Sequence, residues 1–377
     1  MTREILFSGP DITDNEIAMV EQVIRSGWLA HGKYSNKLEE LFCQLTGAKF
    51  ATTVSNCTAG LHLSCIAAGF GPGDEVIVPA QTHTATAHAV EYTGARVVFA
   101  DVDPITGNLT VEEIRKKVTE TIKGVILVHM AGYPCDMRAI TNFCKKKNLV
   151  LIEDCAHALG TTINDVHVGN YGISGNFSFY PTKQITTGEG GVVISNDEKA
   201  IDKVKQLKAF GIDTPPEMRS KPGLYDVKGL GYNYRMTDFQ AALGVGQMER
   251  YEENLKIRQR NGEYYTELLA DIGGVSYPEY SDDNSYFLFQ VILDEQIDRD
   301  NVLIKLKENG IGVSIHYATP VPMMSYYRRK YGFKVDEFHN AVLYGAQSIS
   351  LPVHSKIDEK DVRYICSILA ESIESAK

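Results

Sequence analysis

The chain has 377 residues, of which 44% are hydrophobic and 23% are charged, and its formal net charge is −10. This length and composition allow a large core and two domains. The negative charge and the lack of a basic stripe argue against nucleic acid or an anionic membrane surface as a partner. Seven cysteines without a C-x-x-C pair argue against a disulfide framework or a zinc site. With no signal peptide or long apolar run, we expect a cytoplasmic protein without a metal.

The first 249 residues alternate between helical and strand-like patterns. A capping box at Thr13–Glu16 predicts a helix that ends at Gly27, and a second box at Thr110–Glu113 predicts another helix. Apolar runs predict strands at Val76–Pro79, Val97–Val102, Gly124–Met130, Leu149–Ile152 and Val192–Ser195. This alternation predicts an α/β fold with a mostly parallel sheet covered by helices.

The pattern changes after about residue 250 to long charged helices and a few antiparallel-looking strands, such as Tyr286–Leu293. The last helix places Val362, Ile365, Cys366 and Leu369 on one face. We therefore predict a large domain at residues 1–249 and a small α+β domain at residues 250–377.

Two carboxylates follow the run Leu149–Ile152, which is typical of a buried parallel strand. They are Glu153 and Asp154, and His157 comes shortly after them. Ligands of open α/β sheets bind at the carboxyl ends of the strands, so Asp154 is placed to meet a ligand. In this segment alone, Asp154 as a helix N-cap is an equally good interpretation.

Lys183 lies downstream, in the segment Ser178–Val193. A strand-end aspartate and a lysine together fit pyridoxal phosphate, whose pyridine nitrogen needs a carboxylate and whose aldehyde forms a Schiff base with an amine. Lysine suits the second role because a desolvated ammonium readily loses its proton. Taken alone, a lysine is most often a solvated surface charge.

A turn of small residues leads into a helix within residues 54–68. The N-terminus of a helix offers backbone N–H donors to a phosphate, and Thr58, Ala59 and Gly60 are predicted to form the first turn. Ser178 offers a further hydroxyl from the Lys183 segment. A plain helix cap is the other interpretation of Ser55–Thr58.

With these residues in place, the chain resembles the DegT/DnrJ-type sugar aminotransferases, which are fold-type I pyridoxal phosphate enzymes with an aspartate aminotransferase-like large domain. The resemblance covers almost the whole chain, through residues 26–32, 71–79, 94–103, 153–160, 178–191, 231–242 and 315–317. So many matches in the same order make chance agreement very small.

The resemblance implies a role for each matching residue. Lys183 is the catalytic Schiff-base lysine and proton shuttle, and Asp154 is the partner of the pyridine nitrogen. The remaining cofactor contacts that the resemblance implies are Thr58, Ala59, His83, Ala156, His157, Ser178 and, from the neighbouring subunit, Asn233. The candidates for substrate binding are Arg235, His316 and Tyr317, although Arg235 as a brace of its own loop is the stronger interpretation.

The family also implies a reaction: glutamate donates an amino group through pyridoxamine phosphate to a nucleotide-linked keto-deoxysugar. The expected product is an amino sugar for polysaccharides such as lipopolysaccharide, and the expected assembly is a homodimer with shared active sites. Two alternatives stay open, a pyridoxal phosphate-dependent sugar dehydratase and an acceptor without a nucleotide. Because some dehydratase members carry histidine in place of the lysine, Lys183 favours transamination.

Overall fold

The computed structural model describes residues 4–214 and 220–376. Its strands, in chain order, are β1 (Phe50–Val54), β2 (Glu75–Pro79), β3 (Arg96–Ala100), β4 (Ile122–Val128), β5 (Val150–Asp154), β6 (Thr162–Ile163), β7 (Val166–His167), β8 (Ser174–Ser178), β9 (Gly191–Ser195), β10 (Val275–Ser276), β11 (Phe289–Leu293) and β12 (Ser348–Leu351). Its α-helices are α1 (Asp14–Ser26), α2 (Lys33–Thr46), α3 (Cys57–Ala67), α4 (Thr84–Glu91), α5 (Val111–Lys117), α6 (Met137–Lys147), α7 (Glu198–Leu207), α8 (Asp238–Met248), α9 (Tyr251–Leu269), α10 (Arg299–Glu308), α11 (Ser325–Tyr331), α12 (His339–Gln347) and α13 (Glu359–Glu374).

Seven strands form one large mixed sheet in the order β1-β9-β8-β5-β4-β2-β3. The pairs along β8-β5-β4-β2-β3 are parallel, whereas β9 runs antiparallel to both β8 and β1. The five strands β2, β3, β4, β5 and β8 therefore end at one edge, and β1 ends there as well. The predicted mostly parallel, helix-covered sheet is confirmed.

The predicted strands and capping boxes are close to the observed elements. Thr13 and Glu16 cap α1, which ends at Gly27 in a left-handed conformation, and Thr110 caps α5 by accepting a hydrogen bond from the Glu113 amide. The predicted fourth strand extends to Asp154, so the carboxylate closes the strand itself. The apolar face predicted for α1 is only partly buried: Val23 is buried, but Ile17 and Ile24 are more than half exposed.

A second, smaller sheet joins β10, β11 and β12 in antiparallel order near the C-terminus. Its core takes apolar side chains from α9, α10 and α13, and the predicted face of α13 is buried there. The N-terminal segment contacts this part of the molecule, because Ile5 packs in the same core and pairs with Ile311. The division at residue 249 stays a prediction. Within the described residues, no helix is both long enough and apolar enough to cross a membrane.

Candidate active site

The carboxyl edge of the large sheet collects most of the predicted site residues. Asp154 is the last residue of β5, and Ser178 is the last residue of β8. The end of β1 leads into α3, and the end of β2 leads through His83 into α4. Parallel strands thus bring segments that are distant in sequence to one crevice, as the sequence predicted.

Asp154 is a buried carboxylate held by neutral donors. Its Oδ2 accepts a hydrogen bond from the Thr86 hydroxyl at 2.8 Å, and its Oδ1 accepts one from the Ala156 amide at 3.1 Å. Burial raises the pKa of Asp154, although these hydrogen bonds and the nearby Lys183 act in the opposite direction. Among the described residues Asp154 forms no ion pair, so the site holds a carboxylate that lacks a directly bound cation.

Glu153, its neighbour, points to the other face of the sheet, because side chains alternate along a strand. Its carboxylate accepts hydrogen bonds from the amides of Gly169, Tyr171 and Gly172 at 2.7 to 2.8 Å. It also contacts Nε2 of His129 at 3.1 Å. Of the two adjacent carboxylates, only Asp154 is directed to the crevice, and Glu153 fixes a loop.

His129, Glu153 and Cys155 form a cluster of metal-ligand residue types within the described part of the chain. Nδ1 of His129 accepts a hydrogen bond from the Cys135 amide at 3.1 Å. The ring proton is therefore on Nε2, which donates a hydrogen bond to the Glu153 carboxylate. Burial raises the pKa of the Cys155 thiol well above its usual value. The imidazole and the carboxylate of this cluster are thus hydrogen-bonded to the protein's own groups.

Lys183 lies close enough to Asp154 for the charge of each to act on the pKa of the other. Its ammonium lies 4.4 Å from the centre of the Phe287 ring, and the side chain as a whole is half-buried. Burial lowers the pKa of Lys183 to about 8, and the charge of Asp154 offsets part of that effect. A larger fraction of this amine is neutral near physiological pH than for an ordinary lysine, as a nucleophilic or proton-transferring lysine requires.

Two of the predicted aromatic residues, His157 and Tyr317, lie beside Lys183. Nε2 of His157 lies 3.3 Å from the Tyr317 hydroxyl, and its ring centre is 4.5 Å from that of Phe287. Burial, and then the charge of Lys183, lowers the pKa of His157 well below its usual value, so the ring is neutral. Ala156 is half-buried directly after Asp154. These residues form one wall of the crevice.

His83 and His316 border the same wall. The His83 ring meets the Tyr317 ring edge-on at 5.7 Å, and its Nδ1 accepts a hydrogen bond from the Ala85 amide at 3.2 Å. Nδ1 of His316 contacts the Ser350 hydroxyl at 3.0 Å. Burial, together with Lys183 and His83, lowers the pKa of His316 to about 3. Burial also lowers the pKa of His83, so both imidazoles are neutral groups here.

The N-terminus of α3 opens onto a cavity of about 450 Å³ that Thr58 and Ala59 line. The first-turn amides of a helix have no partner within the helix. The Ala59 amide instead donates to the Asn56 side chain at 2.8 Å. The Thr58 hydroxyl and the remaining amides offer donors to an anion. Ser178 does not line this cavity, and its hydroxyl accepts a hydrogen bond from the Tyr180 amide at 3.4 Å.

Asn233 and Arg235 lie outside the crevice of their own chain. Both are exposed, and Nε of Arg235 donates to Oδ1 of Asn233 at 3.1 Å. The Arg235 guanidinium also lies 5.2 Å from the centre of the Phe210 ring. Within one chain Arg235 braces its own loop, which was the stronger interpretation of the sequence.

Three residues of the crevice were not predicted. Thr86 donates to Asp154, the Phe287 ring packs on Lys183, and Nε2 of Gln81 donates to the Tyr317 carbonyl at 2.9 Å. Gln81 and Thr86 lie in the polar stretch around His83. That polar stretch is the one sequence feature that could have indicated their place in the site. Phe287 lies in the apolar run Tyr286–Leu293, and nothing in that run distinguishes it from an ordinary strand residue.

We expect Thr86→Val to lower turnover roughly ten- to hundredfold while leaving the fold intact. A hydrogen bond to a charged group is worth about 1.5–3 kcal/mol, and each ~1.4 kcal/mol corresponds to tenfold in rate. Thr82→Val is the matched control, since Thr82 contacts the Thr86 hydroxyl at 2.7 Å without bonding to Asp154. Steady-state kinetics of both variants measure the effect. Equal losses in the two variants would contradict a role for Thr86 at Asp154.

Comparison with known proteins identifies the family. The profile of the DegT/DnrJ/EryC1/StrS aminotransferase family matches residues 10–370. The chain is 36% identical to the spore coat polysaccharide biosynthesis protein SpsC of Bacillus subtilis strain 168, over 98% of this chain and 97% of that protein. It is 35% identical to GDP-perosamine synthase of Vibrio cholerae, over 96% of each. The chain belongs to the DegT/DnrJ/EryC1/StrS aminotransferase family.

Solved structures agree with this assignment. Spr1654 of Streptococcus pneumoniae in its PLP form matches with a TM-score of 0.92 and 28% identity, over 100% of both chains, and it has also been solved in a PMP form. The predicted family, fold type and enzyme class are confirmed. The protein is a pyridoxal phosphate-dependent sugar aminotransferase of the DegT family.

The side chains of this DegT-family enzyme fit the cofactor. The Asp154 carboxylate has no directly bound cation in the described part of the chain, and a protonated pyridine nitrogen would supply one. The Lys183 amine has a lowered pKa, which suits a bond to an aldehyde. The N-terminus of α3 offers amides and the Thr58 hydroxyl, which suit a phosphate.

Proposed function

We propose that this enzyme transfers an amino group from L-glutamate to a nucleotide-linked keto-deoxysugar, with Lys183 as the residue that holds the cofactor in a Schiff base. The observation that carries the proposal is the proximity of a lysine with a lowered pKa to a buried carboxylate that forms no ion pair within residues 4–214 and 220–376. Thr58, Ala59, His83, Ala156, His157 and Ser178 complete the proposed cofactor site from the same chain.

Pyridoxal phosphate, when bound, supplies an electron sink for the bonding pair that a departing proton leaves behind. Asp154 would keep the pyridine nitrogen protonated, because a buried carboxylate is most stable beside a cation. Once the donor amine has displaced it from the cofactor, Nζ of Lys183 would take the proton from the donor's α-carbon and pass it to the former aldehyde carbon of the cofactor. In the second half-reaction Nζ would move a proton from that carbon to the sugar carbon. A general acid and base works best with a pKa near the operating pH, and burial brings the pKa of Lys183 to about 8.

The proposed acceptor follows from the relatives. One relative is named a GDP-perosamine synthase and another a spore coat polysaccharide biosynthesis protein. We therefore assign a nucleotide-linked keto-sugar as acceptor and an amino sugar for polysaccharide, such as lipopolysaccharide, as product. His316 and Tyr317 form the wall beside Lys183 that the sugar would meet, and Arg235 would act only on a site of the partner subunit.

The proposed assembly is a homodimer with shared sites. Tyr232 and Tyr234 line the cavity at α3, whereas Asn233 between them is exposed. Side chains alternate along an extended segment, so Asn233 points away from the cavity of its own chain. Several large apolar side chains are also exposed in the chain around this segment and in or just after α1: Ile17, Ile24, Trp28, Leu29, Phe210, Leu224 and Leu230. Exposed apolar surface of this kind is typical of a protein interface.

An absorbance spectrum tests the proposal directly. The purified enzyme incubated with pyridoxal phosphate should show a visible band that borohydride removes, and mass spectrometry after reduction should place the cofactor on Lys183. Incubation with glutamate should shift the band, and a candidate nucleotide-linked keto-sugar should restore it and gain an amino group. A wild-type enzyme without the band would contradict the proposal. A band with no glutamate response would contradict the choice of donor.

Uptake of pyridoxal phosphate by the cofactor-free enzyme should accelerate as the pH rises through about 8. The neutral amine of Lys183 is the nucleophile, and its neutral fraction increases above its pKa, which burial lowers to about 8. Stopped-flow absorbance at several pH values measures the rate, with free lysine as the reference amine. A midpoint close to the ordinary lysine pKa of about 10.4 would show that the crevice does not perturb Lys183.

A further inference from the structure

A second cavity, of about 20 Å³, lies between the N-terminal segment, helix α9 and the loop that follows β12. Its lining includes Pro10, Asn254, Arg258 and Ser355, and Lys183 borders it as well. A cavity of this size holds about one water-sized group. Pro10 is exposed, so the cavity lies close to the surface and ions from the solvent can reach it.

Arg258 brings a buried positive charge to this cavity. The residue is only 7% exposed, and its Nη1 donates hydrogen bonds to the carbonyls of Tyr286 and Phe287 at 3.1 and 3.4 Å. Within residues 4–214 and 220–376, the other N–H groups of the guanidinium have no acceptor and the guanidinium forms no ion pair. Burial lowers the pKa of Arg258 to about 10, yet the group stays charged at neutral pH. A buried cation without a counter-charge is costly.

The carboxylate at the lining, that of Asp11, does not supply this counter-charge. Its Oδ2 accepts a hydrogen bond from Nη1 of Arg250 at 2.6 Å, and its Oδ1 lies 3.1 Å from Nζ of Lys356. Asp11 is thus already shared between two other cations, and Lys356 itself lines the cavity. The lining therefore carries a net positive charge, and the guanidinium of Arg258 is the buried part of it.

We propose that this cavity is a binding site for a small monovalent anion of the halide class, held by the guanidinium of Arg258. The Ser355 hydroxyl and the Asn254 amide, which also line the cavity, offer neutral donors to the same ion. A water molecule fits the space but is neutral, so it leaves the buried charge unmatched. A phosphate ion or a whole glutamate is larger than the space.

The site lies behind one wall of the active site. Arg258 holds the Phe287 carbonyl, and the Phe287 ring lies 4.4 Å from Nζ of Lys183. An anion that fixes the guanidinium thereby also steadies the residue that packs on Lys183. No residue assigned above to the cofactor or to the sugar binds the anion itself.

Bromide locates the site, because it is a halide that anomalous diffraction identifies by element. Crystals of the wild-type holoenzyme soaked in sodium bromide should show an anomalous peak within hydrogen-bond distance of the Arg258 guanidinium. Crystals of Arg258→Met treated in the same way should lack that peak. A wild-type cavity that holds only water after the soak would overturn the inference.

Thermal melting tests the site in solution. Sodium chloride should raise the melting temperature of the holoenzyme by roughly 1–3 °C at saturation, relative to sodium gluconate at the same ionic strength. Arg258→Met should lose this increment, and Arg260→Met, an exposed arginine on the same helix, should keep it. An equal increment in Arg258→Met, or none in the wild type, contradicts an anion held by Arg258.

A variant that keeps the arginine covers the case in which Arg258→Met does not fold. Ser355→Leu fills the cavity from a half-buried position, so it should remove the chloride increment and the bromide peak while Arg258 stays in place. A chloride increment unchanged by Ser355→Leu would also overturn the inference. Neither measurement uses the amino donor or the sugar. An enzyme that binds halide but shows no visible cofactor band would therefore contradict the proposed function alone.

Discussion

Replacement of Lys183 by alanine is expected to abolish the borohydride-reducible band and to lower turnover by about 10²–10⁴-fold or more, the scale that a general acid and base contributes. The side chain packs on Phe287 and forms no hydrogen bond to its neighbours through Nζ among the described residues, so the fold should persist. Steady-state kinetics and a thermal melt measure the two effects.

Binding of pyridoxamine phosphate distinguishes a chemical role of Lys183 from a structural one. Pyridoxamine phosphate carries no aldehyde, so Lys183→Ala should still bind it through Asp154 and the N-terminus of α3. Lys183→Arg is the matched control, because arginine keeps the positive charge and cannot be deprotonated in proteins. If the arginine variant kept wild-type turnover, the positive charge alone would account for the contribution of Lys183 to turnover, and the proposed Schiff base would be wrong.

The sequence pointed to Asp154 and Lys183 because their proposed chemistry depends on residue type. Neither residue is decisive alone, but a carboxylate at the end of an apolar strand and a downstream lysine together fit the chemistry of pyridoxal phosphate, and the resemblance gave both the same roles. Thr86 and Phe287 carry no such signal, since a threonine in a helix and a phenylalanine near a strand are ordinary residues. Their roles arise from contacts to Asp154 and Lys183 that only the folded chain creates.

The strands also divide into those that the sequence pattern predicts and those that only the folded chain reveals. Strands with apolar runs, such as β5, were predicted, whereas β8 was not, because its residues Ser174–Ser178 include Gly175 and Asn176, which strands disfavour. Asn176 is buried there because its side chain accepts a hydrogen bond from Ser64 at 2.9 Å and donates one to the Glu153 carbonyl at 3.2 Å. A tertiary partner on α3 thus outweighs local preference, which no reading of the strand alone would show.

Asp154→Asn should lower turnover roughly 10²–10⁴-fold. Loss of one partner of a buried charge pair costs about 3–5 kcal/mol, and each ~1.4 kcal/mol corresponds to tenfold in rate. An asparagine fits the site: its carbonyl can accept from the Ala156 amide, and its amide can donate to the Thr86 hydroxyl, which then donates to Thr82. Kinetics of the glutamate half-reaction measure the loss.

The stability of the same variant should move in the opposite direction. Burial raises the pKa of Asp154, so the cofactor-free wild type loses stability as the pH rises above the unfolded pKa of about 3.9, and a neutral asparagine avoids that loss. The cofactor-free variant should therefore melt at or above the wild-type temperature at neutral pH. Glu153→Gln is the control, because it weakens the hydrogen bonds from Gly169, Tyr171 and Gly172 and should lower the melting temperature more than turnover. Two results would contradict Asp154 as the carboxylate that meets the cofactor. One is wild-type turnover in Asp154→Asn, and the other is a loss of turnover in Glu153→Gln with an unchanged melting temperature.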